Sequence, residues 1–140
     1  MKKLLLTTFS LLAAAAFATA GSKEKITDIN AALEKAKSEN KVLFLEFGRE
    51  ACSNCQALRA MISKNEVQLP ASKYVYADVN CDDPATRQVF KQNFHVVGST
   101  LPFVVVVSPD GKQLAAHAGY GNAADFQKLL HEAAKASKKS

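Results

Sequence analysis

Val42-Leu43-Phe44-Leu45-Glu46-Phe47-Gly48-Arg49-Glu50-Ala51-Cys52-Ser53-Asn54-Cys55-Gln56-Ala57-Leu58-Arg59-Ala60-Met61-Ile62 is the stretch on which the reading of this chain turns. Its opening, 42–47, is a short apolar run with the length and composition of a buried strand. Residues 56–62 are mostly good helix formers. The Cys-x-x-Cys between them therefore sits where a strand hands over to a helix. At such a junction, backbone N–H groups and the positive end of the helix dipole face the first thiol and favour its thiolate. The i, i+3 spacing puts both sulfurs on one helix face, with Cα atoms roughly 5–6 Å apart, inside the window for a disulfide. Cys52, outermost, reads as the nucleophile and Cys55, one turn in, as the resolving thiol. The segment describes a reversible dithiol–disulfide centre.

Working outward, residues 1–20 read as an export signal. Lys2 and Lys3 give a positive start, residues 4–17 carry no charge, and Ala18-Thr19-Ala20 makes a cleavage pattern before Gly21. The apolar stretch is too short and too rich in small residues for a membrane span, so no stable membrane insertion is expected after cleavage. The expected location is a bacterial periplasm or the exterior, where disulfides persist. Loss of Lys2 and Lys3, with no acid lost, takes the formal net charge from +5 down to +3. That is mild. Lys135, Lys138 and Lys139 make a basic tip that solvates a helix end, and no nucleic-acid partner is expected. Three cysteines are too few for a disulfide scaffold in a chain of this size.

The rest of residues 21–140 reads as a single domain. A short edge strand over 23–27 precedes a helix capped by Thr27 or Asp28 and broken at Asn40-Lys41. After the strand 42–47 and the cysteine helix 52–64, a connection containing Pro70 leads to a strand over 74–79. Asp82-Asp83-Pro84 starts a helix reaching about Asn93. Leu101-Pro102 precedes a β-branched strand over 103–107, Ser108-Pro109-Asp110-Gly111 is a tight turn, and 113–117 pairs back as a hairpin. A last helix spans about 122–136. This order predicts an α/β domain with a parallel core and an antiparallel edge, its site at the carboxyl ends of the parallel strands.

Other readings of the cysteines remain open on these residues. Cys52, Cys55 and Cys81 could join His95 or His117 around zinc, although no second Cys-x-x-Cys or close His pair supports a metal site. Haem attachment needs His directly after the second cysteine, and Gln56 stands there. A purely structural Cys52–Cys55 disulfide would remove little unfolded-state entropy, because its loop is so short. Cys81 follows the strand 74–79 and should emerge on the same sheet edge as Cys52, either as a bland, partly buried thiol or as a third redox or intermolecular cysteine.

Glu46-Phe47 ahead of the Cys-x-x-Cys, Leu101-Pro102 opening a strand, the turn Pro109-Asp110-Gly111 and Gly119 after the last strand together resemble the thioredoxin family, over 26–134. With the export signal and the stretch from Val96-Val97-Gly98 to Pro102-Phe103, the chain looks most like periplasmic thiol:disulfide interchange domains. The resemblance implies a thioredoxin fold, a central mixed sheet with helices on both faces, and a thiol:disulfide oxidoreductase acting on protein thiols and disulfides with a redox partner protein. It needs no freely bound cofactor. It implies that Pro102 is cis and that the backbone of Leu101 turns toward the sulfurs to pair with an extended substrate. It makes Glu46 the buried acid that relays protons to the inner cysteine, with the raised pKa expected of a carboxyl in apolar surroundings. A solvated, structural Glu46 at the sheet's end is the alternative. The chain departs from the family pattern at Ala51, where many thioredoxins carry Trp, and at Ser53-Asn54 in place of Gly-Pro; it contains no Trp. A non-catalytic thioredoxin-like binding module with a structural disulfide is the second reading of the whole.

Overall fold

The computed structural model describes residues 25–139. The export signal and its junction at Gly21 lie outside the described residues. Helix α1 (Ile29–Ser38) is followed by β1 (Val42–Gly48), α2 (Ser53–Ser63), β2 (Tyr74–Asn80), α3 (Pro84–Asn93), β3 (Phe103–Val107), β4 (Gln113–Ala118) and α4 (Ala123–Ser137). The ends of the helices follow from local chemistry. Asp28, Asp83 and Asn122 cap α1, α3 and α4 through their side chains, and Pro84 occupies the first turn of α3. Past α1, Asn40 takes a left-handed φ of 52°, and Lys41 N–H donates to the Ala36 carbonyl at 2.8 Å. That is the Schellman closure, in which a residue tolerant of positive φ turns the chain out of the helix. Of the leading edge strand, the described residues show one parallel bridge, Ile26 to Ala77.

The sheet order is β2-β1-β3-β4, with β1 and β2 parallel, β3 antiparallel to β1, and β4 antiparallel to β3. The expected parallel core is thus confined to one pair, and the centre of the sheet is mixed. The difference matters for the site. Because β3 runs against β1, the amino end of β3 meets the carboxyl end of β1, with Phe103 opposite Phe47. Pro102 and Cys52 are brought to one edge by strand direction alone.

Strand alternation divides the core in two. Odd-numbered residues, including Leu43, Leu45, Val75, Ala77, Val105 and Val107, pack with Ile29, Ala32 and Ala36 of α1 and Phe90 of α3. Even-numbered Phe44, Val104 and Val106 pack with Leu58 of α2 and with Phe126, Leu129, Leu130 and Ala133 of α4. Both faces of β1 and β3 are covered, which is why 103–107 reads as an unbroken apolar run. Two residues break the pattern of the buried strands: Glu46 on β1 and Asp78 on β2, register partners on the α2 side. No helix among the described residues is long and apolar enough to cross a membrane.

Candidate active site

Cys52 is the N-cap of α2, and its sulfur accepts a hydrogen bond from the Cys55 N–H at 3.1 Å. A sulfur in the N-cap position takes the place usually filled by a Ser or Asp oxygen, at the end of the helix where negative charge is stabilised. The two cysteines are joined as a disulfide with Cα atoms 5.2 Å apart. Their environments differ sharply: Cys52 is half-buried, whereas Cys55 has no exposed surface. Cys55 Sγ lies against the backbone of Gly48. A Cβ at that position would come within 2.7 Å of the sulfur and 3.5 Å of Glu46 Oε1, so only glycine leaves room for both groups.

Glu46 is fully buried, and the solvated alternative does not describe it. Its Oε2 accepts a hydrogen bond from the Tyr76 hydroxyl at 2.7 Å. Its Oε1 accepts none among the described residues and faces the space shared with Cys55. Burial is the main cause that pushes its pKa up, to about 7; the Tyr76 hydrogen bond and the charges of Arg59 and Lys25 oppose the rise, and Asp78 adds to it. The phenol of Tyr76 is itself held well above its ordinary range, first by burial and then by the neighbouring Glu46.

The Leu101-Pro102 peptide is cis, in keeping with the resemblance. Asn54 of α2 reaches the Leu101 carbonyl at 3.5 Å, and Gly119 N–H donates to the Pro102 carbonyl at 2.9 Å. Gly119 has a φ of 89°, and a Cβ there would meet Thr100 Cγ2 at 2.9 Å, so a side chain is excluded twice. The loop before β3 and the loop after β4 therefore pack together at the cysteine edge. Val97 and Tyr120, the most exposed large apolar side chains among the described residues, stand on these two loops.

Cys81 is buried, and its N–H donates to the Gly48 carbonyl at 2.7 Å. It directly follows β2, close to the Arg49 guanidinium, whose pKa Cys81 and Asp82 raise. His117 contacts the Tyr120 carbonyl and His95 exchanges hydrogen bonds with Gln113. Among the described residues no group of three or more His, Cys, Asp and Glu side chains is placed to hold a metal ion.

Three residues near the site were not singled out by sequence reading: Tyr76, Asp78 and Arg59. Asp78 carried the same signal as Glu46, an ionisable residue inside an apolar strand. Arg59 carried a weaker one, four residues after Cys55 and so on the same helix face.

Comparison with solved structures finds the same fold in several thioredoxins. A point mutant of thioredoxin from Halobacterium salinarum NRC-1 superposes with a TM-score of 0.57 at 20% identity, covering 76% of this chain and 86% of that one. Spinach chloroplast thioredoxin f in its long form gives 0.58 at 16%, covering 81% and 87%. Reduced thioredoxin pre-protein of Schistosoma mansoni gives 0.56 at 18%, covering 77% and 91%. A comparison with curated protein sequences finds no match. The family model described as a thioredoxin-like domain matches residues 29–134, and with the fold and the Cys52–Cys55 disulfide in place the chain belongs to that family as a redox thioredoxin-like protein.

Proposed function

We propose that this protein is an exported thiol:disulfide oxidoreductase that exchanges disulfides with protein clients through Cys52 and Cys55. The observation that carries the reading is the asymmetry of the pair: one sulfur reachable at a helix N-cap, the other enclosed beside a buried carboxyl that titrates near neutrality. In the reducing direction, Cys52 thiolate attacks a client disulfide, forming a mixed disulfide and releasing one client thiolate. Cys55 gives its proton to the Glu46 carboxylate and attacks Cys52 Sγ. The Cys52–Cys55 bond forms, the bond to the client breaks, and the second client sulfur leaves as a thiolate that takes up a proton. Two electrons pass from the protein dithiol to the client. A dithiol on a redox partner protein restores the reduced pair by the same steps in reverse, and an oxidising partner would run the cycle the other way. Leu101 and cis Pro102 offer the backbone edge on which an extended client segment aligns. Val97 and Tyr120 give that edge an apolar rim.

Trapping tests the division of labour. Cys55→Ser should accumulate mixed disulfides with client proteins, since attack survives and resolution does not; Cys52→Ser should accumulate few. Equal trapping by both, or by neither, together with no dithiothreitol-driven reduction of insulin, would return the protein to a non-catalytic binding module.

A further inference from the structure

Among the described residues two carboxylates are buried at the site, and their surroundings are unequal. Glu46 and Asp78 are register partners on adjacent parallel strands, both on the α2 side of the sheet, with side-chain exposures of 0% and 5%. Two neighbouring carboxylates in a low-dielectric interior do not both ionise readily, so surrounding cations decide which keeps a proton. Asp78 has the better share. Arg59 Nη2 donates to its Oδ1 at 3.3 Å, Arg59 Nε forms an ion pair with its Oδ2 at 2.8 Å without hydrogen-bond alignment, and Lys25 Nζ stands 3.0 Å from Oδ2. Glu46 has a neutral phenol at 2.7 Å and the same Arg59 Nε only at 3.5 Å.

The guanidinium is also anchored from outside. Its Nη1 meets Glu50 at 3.1 Å and its Nη2 donates to the Arg49 carbonyl at 3.3 Å, tying α2 to the loop that leads into the cysteines. A cleft of about 690 Å³ lined by Lys25, Arg59, Tyr76 and Asp78 opens beside this group. Arg59 and Asp78 thus line the cleft, whereas Glu46 behind them has no exposed surface.

We propose that Arg59 is a positioning residue for the exchange reaction: by bridging the two strands it pairs closely with Asp78 and leaves Glu46 to carry the proton that leaves Cys55. The proposal rests on the reading of Glu46 as proton acceptor given above. The charged and titratable groups that reach Glu46 are Tyr76 and Asp78 from β2, Arg59 from α2 and Lys25 beyond Asp78, with Cys55 across Gly48; β3 sets the apolar Val104 opposite it. Removing the cation withdraws its support from both carboxylates and leaves the Asp78 charge acting on Glu46. Removing the Asp78 charge does the reverse and frees Arg59 for Glu46.

The test is the titration of Glu46 followed by carboxyl carbon NMR in wild type, Arg59→Met, Arg59→Lys and Asp78→Asn. A parallel measurement takes the pH profile for release of the second thiolate from a small aromatic disulfide in single turnover. Arg59→Met keeps the length of the stem without the charge; its Glu46 titration should move up by about one pH unit, a tenfold change in the ionised fraction below the inflection. Asp78→Asn should move it down, and Arg59→Lys should return it toward wild type. If Arg59→Met does not fold, the downward shift required of Asp78→Asn relative to wild type still decides the matter. A Glu46 titration unchanged in Arg59→Met and Asp78→Asn overturns the proposal, whatever the kinetics show. A titration that moves while the kinetic profile stays in place overturns instead the proton-acceptor role on which it rests.

Discussion

Replacing Glu46 by Gln should make the oxidised protein relatively more stable as pH rises. The structure sets the size of the effect. Burial, opposed by the Tyr76 hydrogen bond, lifts the Glu46 carboxyl from 4.5 to about 7. In the unfolded chain the group sheds its proton near the lower value; in the folded chain it keeps it until the higher one. Across that window the folded state binds more protons, so stability falls as pH rises, and the loss is complete above the folded value. At about 1.4 kcal/mol per pH unit, the shift corresponds to about 3 kcal/mol of stability withheld above neutrality. Glu46→Gln cannot ionise. Its amide keeps an oxygen for the Tyr76 hydroxyl and sets an NH₂ near Arg59, a mismatch that acts equally at every pH and cancels in the comparison. Urea unfolding of both oxidised proteins at about pH 5 and about pH 8 gives the result directly: wild type should lose roughly 2 to 3 kcal/mol relative to the variant. A stability difference constant to within about 0.5 kcal/mol across that range would refute the argument, because Glu46 would then titrate alike folded and unfolded. A wild type that gained stability would mean that Arg59 and Lys25 outweigh burial.

Gly48→Ala should destabilise the protein by about 1 to 3 kcal/mol in chemical unfolding and slow closure of the Cys52–Cys55 disulfide, since the new Cβ displaces Cys55 Sγ. Cys81→Ser should keep most disulfide reductase activity and leave the reduction potential nearly unchanged. The pair closes its own bond within one helical turn, and a disulfide-linked dimer of wild type lost in the variant on non-reducing electrophoresis would give Cys81 an intermolecular role instead. Mass spectrometry of exported protein should find Gly21 at the amino terminus; retention of the first twenty residues would replace a released protein with an anchored one.

The elements were legible in the sequence because their signals are local. The cap at Asp28, the helix start at Asp83-Pro84, the break at Asn40-Lys41, the 108–111 turn and the apolar strands each depend on a few consecutive residues, and each stands where its residues put it. Cys52 at the start of a helix is local in the same sense. Glu46 was noticeable because an ionisable group interrupts an apolar strand. Asp78 carried the same signal, but that it, Tyr76 and Arg59 meet Glu46 did not show, because they come from a strand about thirty residues away and from the next turn of α2.

By itself, then, the sequence determined the order of elements, the redox pair and the family resemblance. Only the tertiary structure decided that β3 runs antiparallel beside β1, which brings Leu101 and Pro102 to the edge that carries the cysteines. It also decided that Glu46 shares its interior with Asp78 and that Arg59 divides itself between them. The physical reason is the same in each case. Periodicity and capping are energies of neighbours in the chain, whereas strand register and the sharing of one cation by two buried carboxylates are energies of neighbours in space. They exist only after the sheet has chosen its order.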